Sequence, residues 1–116
     1  RKAYMASTVV PAMEPLFLTY DDDYFDDFGC ATCHGDDAEA RRFAMPNADL
    51  RTLYPTGSQE QKDMLAEDRD VLVFMFGTVV PHMKALLGAP DYDPAAQTGF
   101  SCYACHPKGI PAAAPL

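Results

Sequence analysis

Cys30-Ala31-Thr32-Cys33-His34 and Cys102-Tyr103-Ala104-Cys105-His106 are the two stretches on which the reading of this chain turns. Together they hold all 4 cysteines and two of the 3 histidines of a 116-residue sequence. On a helical turn, residues three apart lie on nearly one face, so both thiols of a pair can reach the two vinyl groups along one edge of a porphyrin and form thioethers. The histidine beside the second cysteine then supplies the proximal iron ligand from the same turn. This is the haem c attachment pattern, and its repetition predicts two covalent haem c groups. Cys30, Cys33 and His34 hold one, and Cys102, Cys105 and His106 hold the other.

Other uses of paired cysteines fit less well. A four-thiolate zinc site draws its two halves from nearer positions and has no use for a histidine after each pair. A thioredoxin-type dithiol expects one pair after a strand in a βαβ pattern, and no such pattern is visible. Disulfides closing loops this small restrict the unfolded chain little.

Working outward, a displacement of seventy residues lays residues 1–17 over 71–87. Met5/Met75, Thr8/Thr78, Val9/Val79, Val10/Val80, Pro11/Pro81, Met13/Met83 and Leu16/Leu86 coincide. Asp21 and Asp23 fall on Asp91 and Asp93, and after a two-residue insertion Phe28 falls on Phe100 and each cysteine on its counterpart. The sequence thus reads as two copies of one haem-binding unit within a single domain spanning 1–116, with repeat 1 at about 1–35, a connection at about 36–70 and repeat 2 at about 71–107.

Each unit predicts an amphipathic helix, an acidic connection and a short helix carrying the Cys-x-x-Cys-His motif, so the fold class is all-α. Leu72, Met75, Phe76, Val79, Val80, Met83, Leu86 and Leu87 keep the i, i+3, i+4, i+7 rhythm, and Gly88 is a natural stop. Pro81 inside that stripe predicts a kink or break near Gly77. Asp93-Pro94 predicts an N-cap and first position of a helix leading toward Cys102, with Gly99 as a point of interruption. Ser58 and Gln61 predict a capping box for a short helix through Leu65. Residues 43–57 read as an irregular connection, and the tail after His106 as loose.

An electron-carrying haem closes its sixth iron position, commonly with methionine or a second histidine. Met13 and Met83 occupy equivalent places, 17 and 19 residues ahead of their first cysteines, and are the predicted axial ligands. Met5 and Met75 are also equivalent but lie two turns further off and read as core. Met45, after the first motif, is the alternative to Met13. His82, next to Met83, is the alternative at the second haem, or else it faces solvent or a propionate. Arg41 and Arg42 are either propionate partners or ion-pair partners of Asp36, Asp37 and Glu39.

Composition narrows the function further. Lys and Arg number 9 against 17 Asp and Glu, a formal charge of −8, which excludes a nucleic-acid binder of the usual basic kind. The longest nearly apolar run, Val71 to Val80, is about half of the roughly 20 residues that cross a bilayer, so no membrane span is expected. Asp21, Asp22, Asp23, Asp26 and Asp27 form a concentrated acidic run that lacks the alternation and central glycine of an EF-hand. It is either a solvated face or a docking edge that steers a basic redox partner to the first haem.

These residues resemble a known family, the c-type cytochromes, and within it the multihaem subunit bound to purple-bacterial photosynthetic reaction centres. That repeat has a helix bearing an axial methionine, a turn and a Cys-x-x-Cys-His helix, which is similar to Met13…Cys30-Ala31-Thr32-Cys33-His34 and Met83…Cys102-Tyr103-Ala104-Cys105-His106. The resemblance covers about two thirds of the chain and implies His/Met ligation, with two haem motifs here instead of four. Cys33-His34-Gly35 with a later Met-Pro pair also looks like a small monohaem cytochrome c.

The expected function is electron transfer through two haems in an exported, periplasmic or otherwise extracytoplasmic protein, whose leader is expected to have been removed or left out of this sequence. It is not expected to be an enzyme. Its partners are redox proteins with a basic face, met either as a free shuttle or as a subunit of a larger redox complex. The rival reading is a dihaem redox enzyme or haem sensor with one open iron, for which His82 is the only histidine left as a distal group.

Overall fold

A computed structural model describes residues 2–96 and 98–111. The fold is all-α, a small helical globule with no strand among the described residues. Three isolated bridges, Leu53 with Lys108, Asp91 with Phe100 and Asp93 with Thr98, tie its loops.

Two long helices make the frame. The first begins with Lys2–Tyr4, passes through a π turn at Met5–Val9 and continues as Val10–Tyr20. The second runs from Arg69 through Phe74, a π turn at Met75–Val79, and then Val80–Leu87. The two π turns stand at the same seventy-residue displacement as the sequence identities. Their cause is local. Pro11 and Pro81 lack an N–H, and their rings crowd the carbonyl four residues back. The chain widens instead of breaking, so Val10 N–H donates to the Met5 carbonyl and Val80 N–H to the Met75 carbonyl, each five residues earlier. The kink or break expected near Gly77 is therefore a π turn within a continuous helix.

That continuity makes the second helix longer than its nearly apolar run. The helix Arg69–Leu87 has 19 residues and a mean hydropathy of 1.4 over its most apolar window, long and apolar enough by length and composition to cross a membrane. The nearly apolar run stops at Val80, but the helix passes through Pro81 to Gly88. Gly88 ends it in the left-handed conformation, φ 61°, as the stop signal implied.

The helices run antiparallel. The Tyr4 hydroxyl donates to the Leu86 carbonyl at one end, and the Phe17 and Phe74 rings meet edge to face at 5.1 Å toward the other. Val9, Met13, Phe17 and Phe74 form the buried core, with Met5, Met75, Val79, Met83, Leu16 and Leu86 packed around it. Phe25 and Phe28 close on Phe17, each with ring centroids 4.9 Å away, and so pin the loop after the first helix to the core. The core is thin. Among the described residues only Ala38 joins those four as a buried apolar residue. The chain exposes 8062 Å², against about 6,200 Å² expected for a folded chain of 12.7 kDa.

A third helix, Gln59–Glu67, starts as the sequence implied: the Ser58 hydroxyl accepts from Gln61 N–H at 3.2 Å. The Gln61 side chain accepts from Gly57 N–H, one residue earlier than a capping box requires. The helix expected after Asp93-Pro94 does not form. Asp93 exchanges backbone hydrogen bonds with Thr98 at 2.7 and 3.3 Å, and Gly99 turns the chain at φ 98°. A side chain at Gly99 would collide with the Asp91 backbone, which leaves glycine as the residue that fits.

Candidate functional site

The first motif is a single α-helical turn, Cys30–His34. Extended Gly29 precedes it, with Gly29 N–H donating to the Thr32 hydroxyl at 3.0 Å, and Gly35 at φ 88° closes it by donating to the Ala31 carbonyl at 2.8 Å. The second motif is tighter than expected. Its helical part is a 3₁₀ turn, Cys102–Ala104, capped by the Ser101 hydroxyl, which accepts from Tyr103 N–H at 3.3 Å. His106 N–H then reaches the Cys102 carbonyl at 2.9 Å, so cysteine and histidine again share one turn.

The structure brings the two motifs together. Asn47, 1% exposed, sits between them. Its side-chain amide donates to the Cys33 carbonyl at 3.1 Å, and its backbone N–H donates to the Cys105 carbonyl at 2.8 Å. The Asn47 Oδ1 accepts from Arg41 at 3.0 Å and from Asp49 N–H at 3.0 Å. Arg41 also donates to the His34 carbonyl and to the Asp37 carboxylate, the latter at 2.9 Å. Burial pushes the Cys33 thiol up to about 12, helped by the neighbouring Cys105 and Cys30 sulfurs. Burial also raises Cys102 and Cys105. These three sulfurs stay protonated at neutral pH, opposite to the lowered pKa of an attacking dithiol.

The histidines differ in their surroundings. His106 Nδ1 lies 2.8 Å from the Arg51 carbonyl. A carbonyl can only accept, so Nδ1 carries the proton and Nε2 of the neutral ring keeps its lone pair. Such an orienting bond is what metal-ligating histidines usually make. The strand-like pairing of Leu53 with Pro107 and Gly109, at 2.9 and 2.8 Å, holds Arg51 and His106 in register. It also ties down the start of the tail expected to be loose; residues 112–116 lie outside the described residues. His34 packs edge to face on Phe43, ring centroids 5.5 Å apart, and its buried Nδ1 has no hydrogen-bond partner. Burial lowers its pKa first and the Arg41 cation adds to this, while the Phe43 backbone acts the other way.

Met13 and Met83 share the apolar cluster between the long helices, Met13 fully buried and Met83 partly so. The histidines take their neighbours from the connection instead: Phe43, Arg41 and Arg51. Met45 is half-buried on the segment whose Phe43 and Asn47 already touch the first motif. Met5 and Met75 flank the core, as their spacing implied. His82 is exposed and bonds back to the Thr78 carbonyl of its own helix at 2.7 Å. Arg41 is engaged by Asp37, His34 and Asn47, on turns and not on a helix face. Arg42 is exposed and makes no ion pair among the described residues.

The acidic run forms turns after Tyr20, with Asp21 Oδ1 accepting from Tyr24 N–H at 3.1 Å. All five carboxylates are exposed, and none is ion-paired with a described residue. Its counterpart in the second half is partly neutralised: Lys84 bonds Asp91 and holds that carboxyl below its ordinary range.

Among the described residues, no group of three or more His, Cys, Asp or Glu side chains is arranged to hold a metal ion. A porphyrin iron asks for less, since the macrocycle fills four positions and the protein needs to add only one or two. Sequence reading missed Asn47, because nothing local marks an asparagine whose partners are 14 and 58 residues away. No family model, curated protein or solved structure matches this chain.

Proposed function

We propose that the chain is an extracytoplasmic electron-transfer protein that carries two covalently attached c-type haems, made of two copies of one haem-binding unit. A bound haem supplies an iron that cycles between ferric and ferrous states, one electron at a time. Cys30 and Cys33, three apart on one turn, would anchor one macrocycle, and Cys102 and Cys105 the other. His34 and His106 would be the proximal ligands, with Met13 and Met83 completing the iron sites.

The observation that carries the proposal is the His106 imidazole at the end of a Cys-x-x-Cys turn, its Nδ1–H fixed on the Arg51 carbonyl and its Nε2 left basic. His34 ends the first motif in the same position, with its ring held by the edge of Phe43 and its buried Nδ1 without a hydrogen-bond partner. The paired π turns at one displacement, built round Pro11 and Pro81, support the two-copy reading. The thin core is in keeping with a chain that packs on apolar macrocycles as well as on itself.

At the first site a second ligand assignment has an observation in its favour. Met45 lies on the 43–47 segment, which already contacts His34 through Phe43 and Cys33 through Asn47. Met13 is enclosed by Val9, Phe17 and Phe74. Partners are redox proteins with a basic face, since the exposed aspartates and the formal −8 charge attract cations. A place as a subunit of a larger redox complex fits equally.

The test is to add carbon monoxide to the dithionite-reduced protein and follow the Soret band. Two closed irons leave the band unchanged. A carbonyl spectrum at one haem overturns the electron-carrier reading in favour of a dihaem redox enzyme or gas sensor.

A further inference from the structure

Asn47 is the one polar residue among the described residues whose side chain is fully buried, and its hydrogen bonds reach both motifs. One of them is local: Oδ1 accepts from Asp49 N–H at 3.0 Å, as in any turn begun by asparagine. The others are not. The amide donates to the Cys33 carbonyl at 3.1 Å, the backbone N–H to the Cys105 carbonyl at 2.8 Å, and Oδ1 takes a bond from Arg41, which itself grips the His34 carbonyl. A side chain on Gly35 would meet Arg41 and Asn47 at 2.8 and 3.1 Å, so the glycine after the first motif is what lets this clamp close.

We infer that Asn47 is a positioning residue that holds the two Cys-x-x-Cys-His turns against each other, so that the groups they carry form one fixed, electronically coupled pair. The inference rests on the haem reading above. It goes beyond it, because two haems on one chain need not be neighbours. An amide suits the position: it donates at Nδ2 and accepts at Oδ1, matching a carbonyl on one side and a guanidinium on the other. Aspartate would keep the bonds from Arg41 and Asp49 but would set an oxygen against the Cys33 carbonyl oxygen. At a residue only 1% exposed, water cannot relieve that repulsion.

Intact mass, Soret-region circular dichroism and backbone amide exchange of the haem-loaded protein test this together. Two nearby porphyrins couple their Soret transitions and give a band of paired opposite signs, which the wild type should show. Asn47→Asp, with two haems in its mass and wild-type helix content, should lose that paired band while each haem keeps its own absorption spectrum. The Asn47 amide of the wild type should exchange slowly for a loop residue. A two-haem wild type without the paired band, or an Asn47→Asp protein that retains it, overturns the inference and leaves the haem reading intact. A mass without haem overturns the haem reading and this inference with it. If Asn47→Asp fails to take up both haems, the wild-type amide decides: exchange at exposed-loop rates overturns the clamp, and slow exchange supports it.

Discussion

His106 and His34 end the same motif, yet their rings are held by different means, one by a carbonyl and the other by an aromatic edge and burial. At His34 burial and the Arg41 cation favour the neutral imidazole, the form a metal ligand needs, while at His106 the carbonyl fixes Nδ1 as the protonated nitrogen. If Met13 and Met83 complete the iron sites as proposed, the potentials should report it, because methionine sulfur favours ferrous iron and His/Met haems sit at higher potential than bis-histidine ones. Met83→His should therefore lower one haem's potential by on the order of 0.1 V, within the roughly 0.8 V that axial ligands span, and leave the other nearly unchanged. Met13→His should do the converse in a spectroelectrochemical titration. If Met45→Ala is the variant that removes the methionine-to-iron charge-transfer band from the first haem, the ligand there is Met45. Arg41 shows why a residue's role was only half legible. Its proximity to the first motif and its pairing with Asp37 were readable from spacing. Its grip on the His34 carbonyl and Asn47 depends on how residues 36–47 fold back, which no local pattern records.

At the scale of elements, the long helices are where sequence reading went furthest. The apolar rhythm of residues 72–87 and the Gly88 stop were legible, because an amphipathic stripe and a left-handed cap are local properties. The response to Pro81 was not, since a proline can break, kink or widen a helix, and packing against the first helix decides which. Gly77 lies inside the π turn, and a side-chain carbon added there would meet nothing within 4 Å. Gly77→Ala should thus stabilise by about 0.5–1 kcal/mol through the unfolded chain's lost freedom, raising the melting temperature by a few degrees. A lower melting temperature would mean that the π turn needs glycine. The helix missed after Asp93 fails for a visible reason: Asp93 pairs with Thr98, and Gly99 must pass close over Asp91. The turn at 21–27 carries its own prediction. Its five aspartates are exposed and free of ion pairs among the described residues, so they present one sign of charge shortly before the first motif. Changing Asp21, Asp22 and Asp23 to Asn keeps the Oδ1 that caps Tyr24 N–H. It should flatten the ionic-strength dependence of electron transfer to a basic cytochrome. Unchanged dependence would place docking elsewhere.

Over the whole molecule, the helices alone give a core of four mutually packed residues, with Val73 and Phe76 left 64% and 61% exposed on the second helix. Hydrophobic burial of that extent is small beside the conformational entropy of a chain this long. Covalent macrocycles would add the apolar surface that the helices lack. A Cys30/Cys33/Cys102/Cys105→Ala variant should accordingly be largely unfolded, with weak helix signal and no cooperative thermal transition; a native-like melt would show that the polypeptide suffices. What the sequence carried at this scale was a set of residues repeated at a fixed displacement, and the two π turns fall at that same displacement. What it could not carry was how the two Cys-x-x-Cys-His turns meet, where Asn47 bonds the Cys33 and Cys105 carbonyls. Every scale depends on Cys30, Cys33, Cys102 and Cys105 being thioether anchors. Intact mass of the protein produced in a host that matures cytochromes c, read with haem staining after denaturing electrophoresis, tests this directly. The account predicts the polypeptide mass plus two haems, with no thiol left to alkylate; four alkylatable thiols and an unmodified mass would contradict it.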